Sequence, residues 1–225
     1  MKGLFVTGTD TGVGKTFITS ALASRLHQRS WKVAAVKPAE SGCEIGPDGL
    51  IAADAESIAH AAGDWQDPSA RCRYKLRAAV APGVAARREQ VEIDLDECVA
   101  FVKTIAERAE IVLVEGAGGW RVPLDGKTQT IADLAKRIDL PVLVVARATL
   151  GTINHTLLTA EAVTRDGCEL AGVVMSVRPD DDLAAAMSNA EEIERLIGRS
   201  AVSVVRVPSD VDALLDHFTW NARAR

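Results

Sequence analysis

Apolar positions along this chain fall into short unbroken runs separated by stretches with helical spacing. Residues 3–6, 33–36, 111–114, 141–146, 170–175 and 202–207 are runs rich in Val, Ile, Leu and Ala. Runs of this length and composition predict strands buried on both faces, as in a parallel sheet. Between them, residues 17–26, 52–62, 95–107, 130–138, 152–166, 182–197 and 211–218 predict helices. In 95–107 the spaced apolar positions are Leu95, Val99, Val102, Ile105 and Ala106. The alternation predicts an α/β fold, a mostly parallel sheet flanked by helices on both faces, in a single domain over 1–225. Two stretches break the pattern. Residues 39–49, with Gly42, Gly46, Pro47 and Gly49, read as a loop, and 63–88, with Pro68 and Pro82, as an irregular excursion.

The first predicted strand runs into Gly8-Thr9-Asp10-Thr11-Gly12-Val13-Gly14-Lys15-Thr16 and then into a helix. Strand, glycine-rich loop, Lys-Thr and helix is the context of a phosphate-binding loop. Small residues let backbone N–H groups converge on phosphate oxygens, and the helix N-terminus adds free donors and the positive end of its dipole. Lys15 is placed to reach the β- and γ-phosphates and Thr16 to hold Mg²⁺. Thr9 stands where the usual spelling has its first glycine; Gly8 comes one residue earlier, so the loop is one residue longer. The fold is therefore expected to be P-loop NTPase-like.

In an open parallel sheet, ligands bind beyond the carboxyl ends of the strands. The residues at those ends are Lys37 and Ser41, Glu115, and Arg147 through His155. Glu115 closes an apolar strand, as the acid of a Walker-B element does, and could hold Mg²⁺. Asp54 is a second candidate ligand, or else a first-turn acid favoured by a helix dipole. Lys37 is either a surface charge or, on the same rim as Lys15, a group that neutralises a transferring phosphoryl.

Composition narrows the choice. The 225 residues are 48% hydrophobic and 25% charged, with a formal net charge of −5. That balance argues against a nucleic-acid surface, where a basic face is expected. Cys43, Cys72, Cys98 and Cys168 are scattered, which speaks against a zinc site or disulfide framework and suits a reducing cytosol. With no charged-then-apolar leader and no apolar run near the ~20 residues that span a bilayer, a cytoplasmic protein without a membrane partner is expected.

Four motifs in order and at the right spacing resemble the dethiobiotin synthetase family. They are the elongated phosphate loop Gly8 to Thr16, Lys37-Pro38-Ala39-Glu40-Ser41-Gly42, Val114-Glu115-Gly116-Ala117-Gly118-Gly119, and Leu150-Gly151-Thr152-Ile153-Asn154-His155. The resemblance implies an ATP- and Mg²⁺-dependent ring closure in biotin synthesis. One amine of 7,8-diaminononanoate takes up CO₂ as a carbamate, ATP phosphorylates it, and the second amine closes the cyclic urea, releasing ADP and phosphate. It implies Lys15, Lys37 and Ser41 as the catalytic set, and Thr16, Asp54 and Glu115 as metal ligands. Gly8 through Thr16, Glu115, Ser176 and Pro208 would meet the nucleotide; Thr11, Lys37, Ser41 and Gly118 would meet the substrate. It further implies a homodimer with the site at the interface, where Leu150, Gly151 and Asn154 of the neighbouring subunit hold the substrate carboxylate. The last assignment suits a helix starting near Thr152, whose free N–H groups favour an anion. His155 stays outside the catalytic set, since carbamate formation needs only an unprotonated substrate amine.

The sequence also departs from the family. Gly12 stands where many relatives have an acid, the role of Glu40 is open, and Pro82 alone remains of a proline-rich element in 79–83. Ser176 replaces an adenine-reading asparagine; a hydroxyl cannot reproduce a bidentate amide contact, so weak base selectivity is expected. Two rival functions remain. A nucleotide-switched partition-type ATPase would carry a signature lysine at Thr9 or Asp10 and a basic surface run. An amide-forming corrinoid-type ligase usually carries a glutaminase domain, for which 225 residues leave no room.

Overall fold

The computed structural model describes residues 1–198 and 202–218; the remaining positions of the expected domain lie outside the described residues. In chain order the strands and helices are β1 (Gly3–Gly8), α1 (Lys15–Gln28), β2 (Val33–Val36), β3 (Ala39–Ser41), β4 (Glu44–Gly46), β5 (Gly49–Ile51) and α2 (Ala53–Ala61). They continue with β6 (Tyr74–Leu76), α3 (Pro82–Glu89), α4 (Leu95–Ala106), β7 (Ile111–Gly119), α5 (Ile131–Ile138) and β8 (Val142–Arg147). The last are α6 (Thr152–Arg165), β9 (Leu170–Ser176), α7 (Leu183–Ile197), β10 (Val202–Val205) and α8 (Val211–His217).

Six strands form one parallel sheet in the order β10-β9-β8-β1-β7-β2. Alternation along β1 explains its two-sided burial. Phe5 joins Val36, Val112, Val114, Val142 and Val144 in one core, shared with apolar residues of α3, α4, α5 and α6. Leu4 and Val6 face the other core, with Ile18 and Leu22 of α1, Ile58 of α2 and Leu214 of α8. All but the half-buried edge strand β10 are thus covered on both sides, which is why their apolar runs show no polar alternation. Arg25 of α1 and its C-cap Arg29 bind Asp212, and Arg29 also binds Asp216, fastening α8 over that second layer.

The two pattern-breaking stretches are built, not loose. Residues 39–49 contain β3, β4 and the start of β5; β3 pairs in parallel with β6, and β4 with β5 as a hairpin. Residues 63–88 contain β6 and most of α3, which starts on Pro82 at a first-turn position where its missing N–H costs nothing. β7 also runs further than the apolar run 111–114, through Glu115 to Gly119, and β10 stops at Val205 short of the expected 207. No helix among the described residues is long and apolar enough to cross a membrane.

Candidate active site

Register brings the site together. β1 lies between β7 and β8, with the chain departing to opposite sides, so the crevice at its carboxyl end is a switch point. Val6 pairs with Glu115, and Val36 pairs with Val114, which sets Lys37 beside Glu115. Glu115 is therefore not beyond the end of its strand but within β7, and it is buried.

The phosphate loop follows β1 and ends at Gly14, the left-handed N-cap of α1 with φ of 101°. A Cβ there would stand 2.4 Å from the Ser176 hydroxyl, so the turn demands glycine twice, for its backbone and for the contact. At Gly8 a Cβ would meet the Asp10 carbonyl at 2.7 Å and the Lys15 ammonium at 3.0 Å. Lys15 curls back to donate to the Asp10 carbonyl at 3.1 Å. The Arg178 guanidinium donates to the Gly12 carbonyl at 2.6 Å, tying the loop to the segment after β9.

Thr16 donates its hydroxyl to Glu115 Oε1 at 2.9 Å. Lys37 Nζ lies 3.0 Å from the same oxygen and also pairs with the Asp54 carboxylate. Both lysines are buried, yet their acidities diverge. Burial pulls Lys15 down to about 8, against the opposing pull of Glu115, and Lys37 nearby lowers it further. Burial also works against charge on Lys37, but Glu115, Asp54 and Glu40 outweigh it and hold the ammonium well above the ordinary lysine value. One lysine is poised near neutrality and the other is fixed as a cation.

A cleft of about 590 Å³ opens over these groups. Thr11, Gly12, Gly14, Lys15, Thr16, Lys37, Ser41, Asp54, Glu115 and Gly118, all singled out from sequence, line it. The remaining loop residues Gly8, Thr9, Asp10 and Val13 do not line it. Ser176 is buried beneath Gly14 and outside the lining, and Pro208 is exposed at the start of a short 3₁₀ turn. Leu150, Gly151 and Asn154 do not line this cleft; all three are exposed, and Leu150 completely so. Phe17, the segment Ala79-Val80-Ala81-Pro82, Ala117 and Val122 form the apolar part of the wall. Of these only Ala117 and Pro82 stand out in the sequence, as members of motifs, because apolar wall residues carry no chemical signature of their own. The sequence also left Glu40 open: the structure shows both its oxygens bound at the start of α2, to Asp54 N–H and Ala55 N–H at 3.0 Å each.

The donor set suits a hard cation. Thr16, Asp54 and Glu115 offer oxygens only, and Glu115 Oε2 is buried without any hydrogen-bond partner. An orphaned buried carboxylate oxygen is costly unless something binds it. Among the described residues no group of three or more His, Cys, Asp or Glu side chains gathers to hold a metal on its own. Two carboxylates and a hydroxyl match Mg²⁺, which keeps waters and shares its shell with nucleotide phosphates.

Parallel sheet, phosphate loop and facing acid define a P-loop nucleotide-dependent protein. Residues 2–213 match a family model described as an AAA domain. Against curated proteins, the chain is 44% identical over 212 residues to the ATP-dependent dethiobiotin synthetase BioD of Anaeromyxobacter dehalogenans (strain 2CP-C), covering 94% of this chain and 92% of that one. It is 41% identical to the Frankia casuarinae protein of the same description, covering 100% and 91%. The chain belongs to the ATP-dependent dethiobiotin synthetase family. Solved structures extend the likeness of fold alone. FtsY of Thermotoga maritima aligns with a TM-score of 0.53 at 16% identity, over 93% of this chain and 63% of that one, so the chain spans less than two thirds of it. The MinC:MinD complex of Aquifex aeolicus aligns with a TM-score of 0.54 at 14% identity, over 96% and 85%.

Proposed function

We propose that this chain closes the ureido ring of dethiobiotin from 7,8-diaminononanoate and CO₂ at the expense of ATP, as a homodimer in the cytoplasm. The observation that carries the chemistry is the convergence of Thr16, Lys37, Asp54 and Glu115 on one point of the cleft beside Lys15.

In this reading an unprotonated substrate amine attacks CO₂, giving a carbamate and releasing a proton. A carbamate oxygen then attacks the γ-phosphorus, forming a carbamic-phosphoric anhydride and releasing ADP. The second amine attacks the carbamoyl carbon, expels phosphate, loses a proton and closes the urea. Such a transfer requires little covalent help and much positioning and charge compensation. Lys15 lies on the phosphate loop to meet the β- and γ-oxygens. Lys37, a permanent cation, faces the carbamate and the phosphoryl group in transit. Ser41 and Gly118 border the carbamate, with Thr11 beside them. Mg²⁺, held by Thr16, Asp54 and Glu115, would neutralise phosphate charge when bound. The apolar wall formed by residues 79–82 with Ala117 and Val122 suits the aliphatic part of the diamino acid. Leu150, Gly151 and Asn154, exposed at the start of α6, would serve the neighbouring subunit's cleft, where that helix's N-terminus suits the far carboxylate.

The deciding assay measures phosphate release that depends jointly on diaminononanoate and bicarbonate. Release without either, or stimulated instead by DNA or lipid, would favour a nucleotide-switched ATPase. Ser176 offers one hydroxyl, so ATP, CTP and GTP are expected to support turnover within about tenfold of one another, no bidentate amide being present to discriminate bases. A larger ATP preference would show that other groups read the base.

A further inference from the structure

We infer that Glu40 is a positioning residue: it caps α2 from a separate element and so sets where the Asp54 carboxylate stands in the metal and lysine cluster. α2 has no cap of its own, because Ala52 precedes it and offers no side-chain acceptor. Three other helices solve this locally. Asp94 caps α4, Asp182 caps α7, and Thr130 with Asp133 closes a capping box on α5. In α2 the acceptors come from β3, where Glu40 takes the Asp54 N–H on Oε1 and the Ala55 N–H on Oε2, both at 3.0 Å. These are the second and third N–H groups of the helix, the pair that a local cap would take.

A hydroxyl at position 52 could cap the helix without burying a charge. Glu40 is buried, and burial pushes its carboxyl upward against the favourable pull of Lys37 and the two N–H groups. A charged acid in that position is a costly way to cap a helix. It grips the N–H groups of Asp54 and Ala55 from a separate strand and, as a neutral local cap cannot, turns a negative charge toward Lys37. Lys37 is thereby balanced among Asp54, Glu115 and Glu40, and the Asp54 side chain leaves a fixed backbone toward the cleft. Glu40 does not line the cleft. It acts through Asp54.

The inference rests on Asp54 as a metal ligand, and the test separates the two. Glu40→Gln, Glu40→Ala, Asp54→Asn and Thr130→Ala (which uncaps α5, a helix none of whose residues lines the cleft) are compared by thermal melting. Binding of a fluorescent ATP analogue is then titrated against Mg²⁺ and, separately, measured in EDTA. Glu40→Gln is expected to raise the Mg²⁺ concentration for half-maximal tightening roughly tenfold, the scale of lost outer-shell support. Its affinity in EDTA should stay near that of the unmodified protein. Thr130→Ala should lower the melting temperature and leave the Mg²⁺ midpoint unmoved. If Glu40→Gln behaves like Thr130→Ala, Glu40 is only a helix cap and the inference is overturned. A shifted midpoint in Asp54→Asn together with an unmoved one in Glu40→Gln overturns this inference alone. An unmoved midpoint in Asp54→Asn removes Asp54 from the metal site and the inference with it. Should Glu40→Ala not fold, Glu40→Gln decides, since it keeps the side-chain volume.

Discussion

Two buried lysines in one cleft are held in different states by their neighbours, and each state leads to its own experiment. Lys37 is a cation fixed by carboxylates, so its loss removes charge that no other residue supplies. Lys37→Ala would also strand the buried Glu115 carboxylate, which is destabilising in itself. Lys37→Gln removes the charge and keeps a donor, one atom shorter, that can still bond Glu115 or its neighbours. Its turnover is expected to fall by about 10²–10³, the usual loss when one preorganised electrostatic group is removed, with nucleotide binding largely kept. A calorimetric nucleotide titration beside the phosphate-release assay checks both halves. Lys15 titrates near 8 in the free protein, and only its protonated form matches a phosphate. As pH rises through 8 the free protein loses that proton, and binding must then restore it. Nucleotide affinity should therefore be flat below pH 7.5 and fall above 8 by up to about tenfold per pH unit, since each proton taken up on binding carries that slope. Affinity that stays level to pH 9.5 would place the titration elsewhere. Of the cluster, Lys15, Thr16 and Glu115 were readable in the sequence because their spacing to strand and glycine is a chemical constraint. Glu40 was not, because its partners are backbone N–H groups whose position only the folded α2 defines.

Elements show the same division between what local pattern encodes and what tertiary contact decides. Five of the six sheet strands were legible because burial on both faces leaves no polar interruption, while β10, half-buried and interrupted by Ser203, showed through its valines. β3, β4, β5 and β6 were not, since each has three residues, too few to display a period, and β3 finds its partner in β6 far along the chain. The Gly116-Ala117-Gly118-Gly119 continuation of β7 was hidden for another reason: nearly bare backbone carries no hydrophobic signal, yet Gly119 still pairs with Gly8. Loop and helix meet most tightly at Gly14. Gly14→Ala would place a side chain at φ of 101°, which costs about 1–2 kcal/mol in left-handed backbone, and press it on the Ser176 hydroxyl 2.4 Å away. Nucleotide affinity should fall at least about tenfold, by the conversion of that strain into binding. Adding Ser176→Gly should recover only part, because the contact is relieved and the backbone strain stays. Complete recovery would show that crowding alone makes position 14 a glycine.

At the scale of the molecule, a single chain holds the phosphate loop, the acids and both lysines in its cleft, whereas Leu150, Gly151 and Asn154 are exposed and outside its lining. FtsY and the MinC:MinD complex share this architecture at 14–16% identity, so the fold by itself does not decide whether a second subunit completes the site. If the α6 start of one subunit completes the cleft of its twofold mate, two defective proteins can repair one another. A Lys37→Gln subunit lacks the cation in its own cleft but still offers Asn154 outward. An Asn154→Asp subunit keeps Lys37 but turns a like charge on the substrate carboxylate of its mate, a repulsion of several kcal/mol when desolvated. Mixed and allowed to exchange, half of the dimers become hybrid, and one of the two clefts in each is then intact, so about a quarter of full activity should return, as twofold symmetry requires. If Asn154 instead served its own protomer, every cleft in the mixture would carry a defect and no activity would return. Measuring phosphate release before and after subunit exchange distinguishes the two outcomes without any assumption about the substrate's pose.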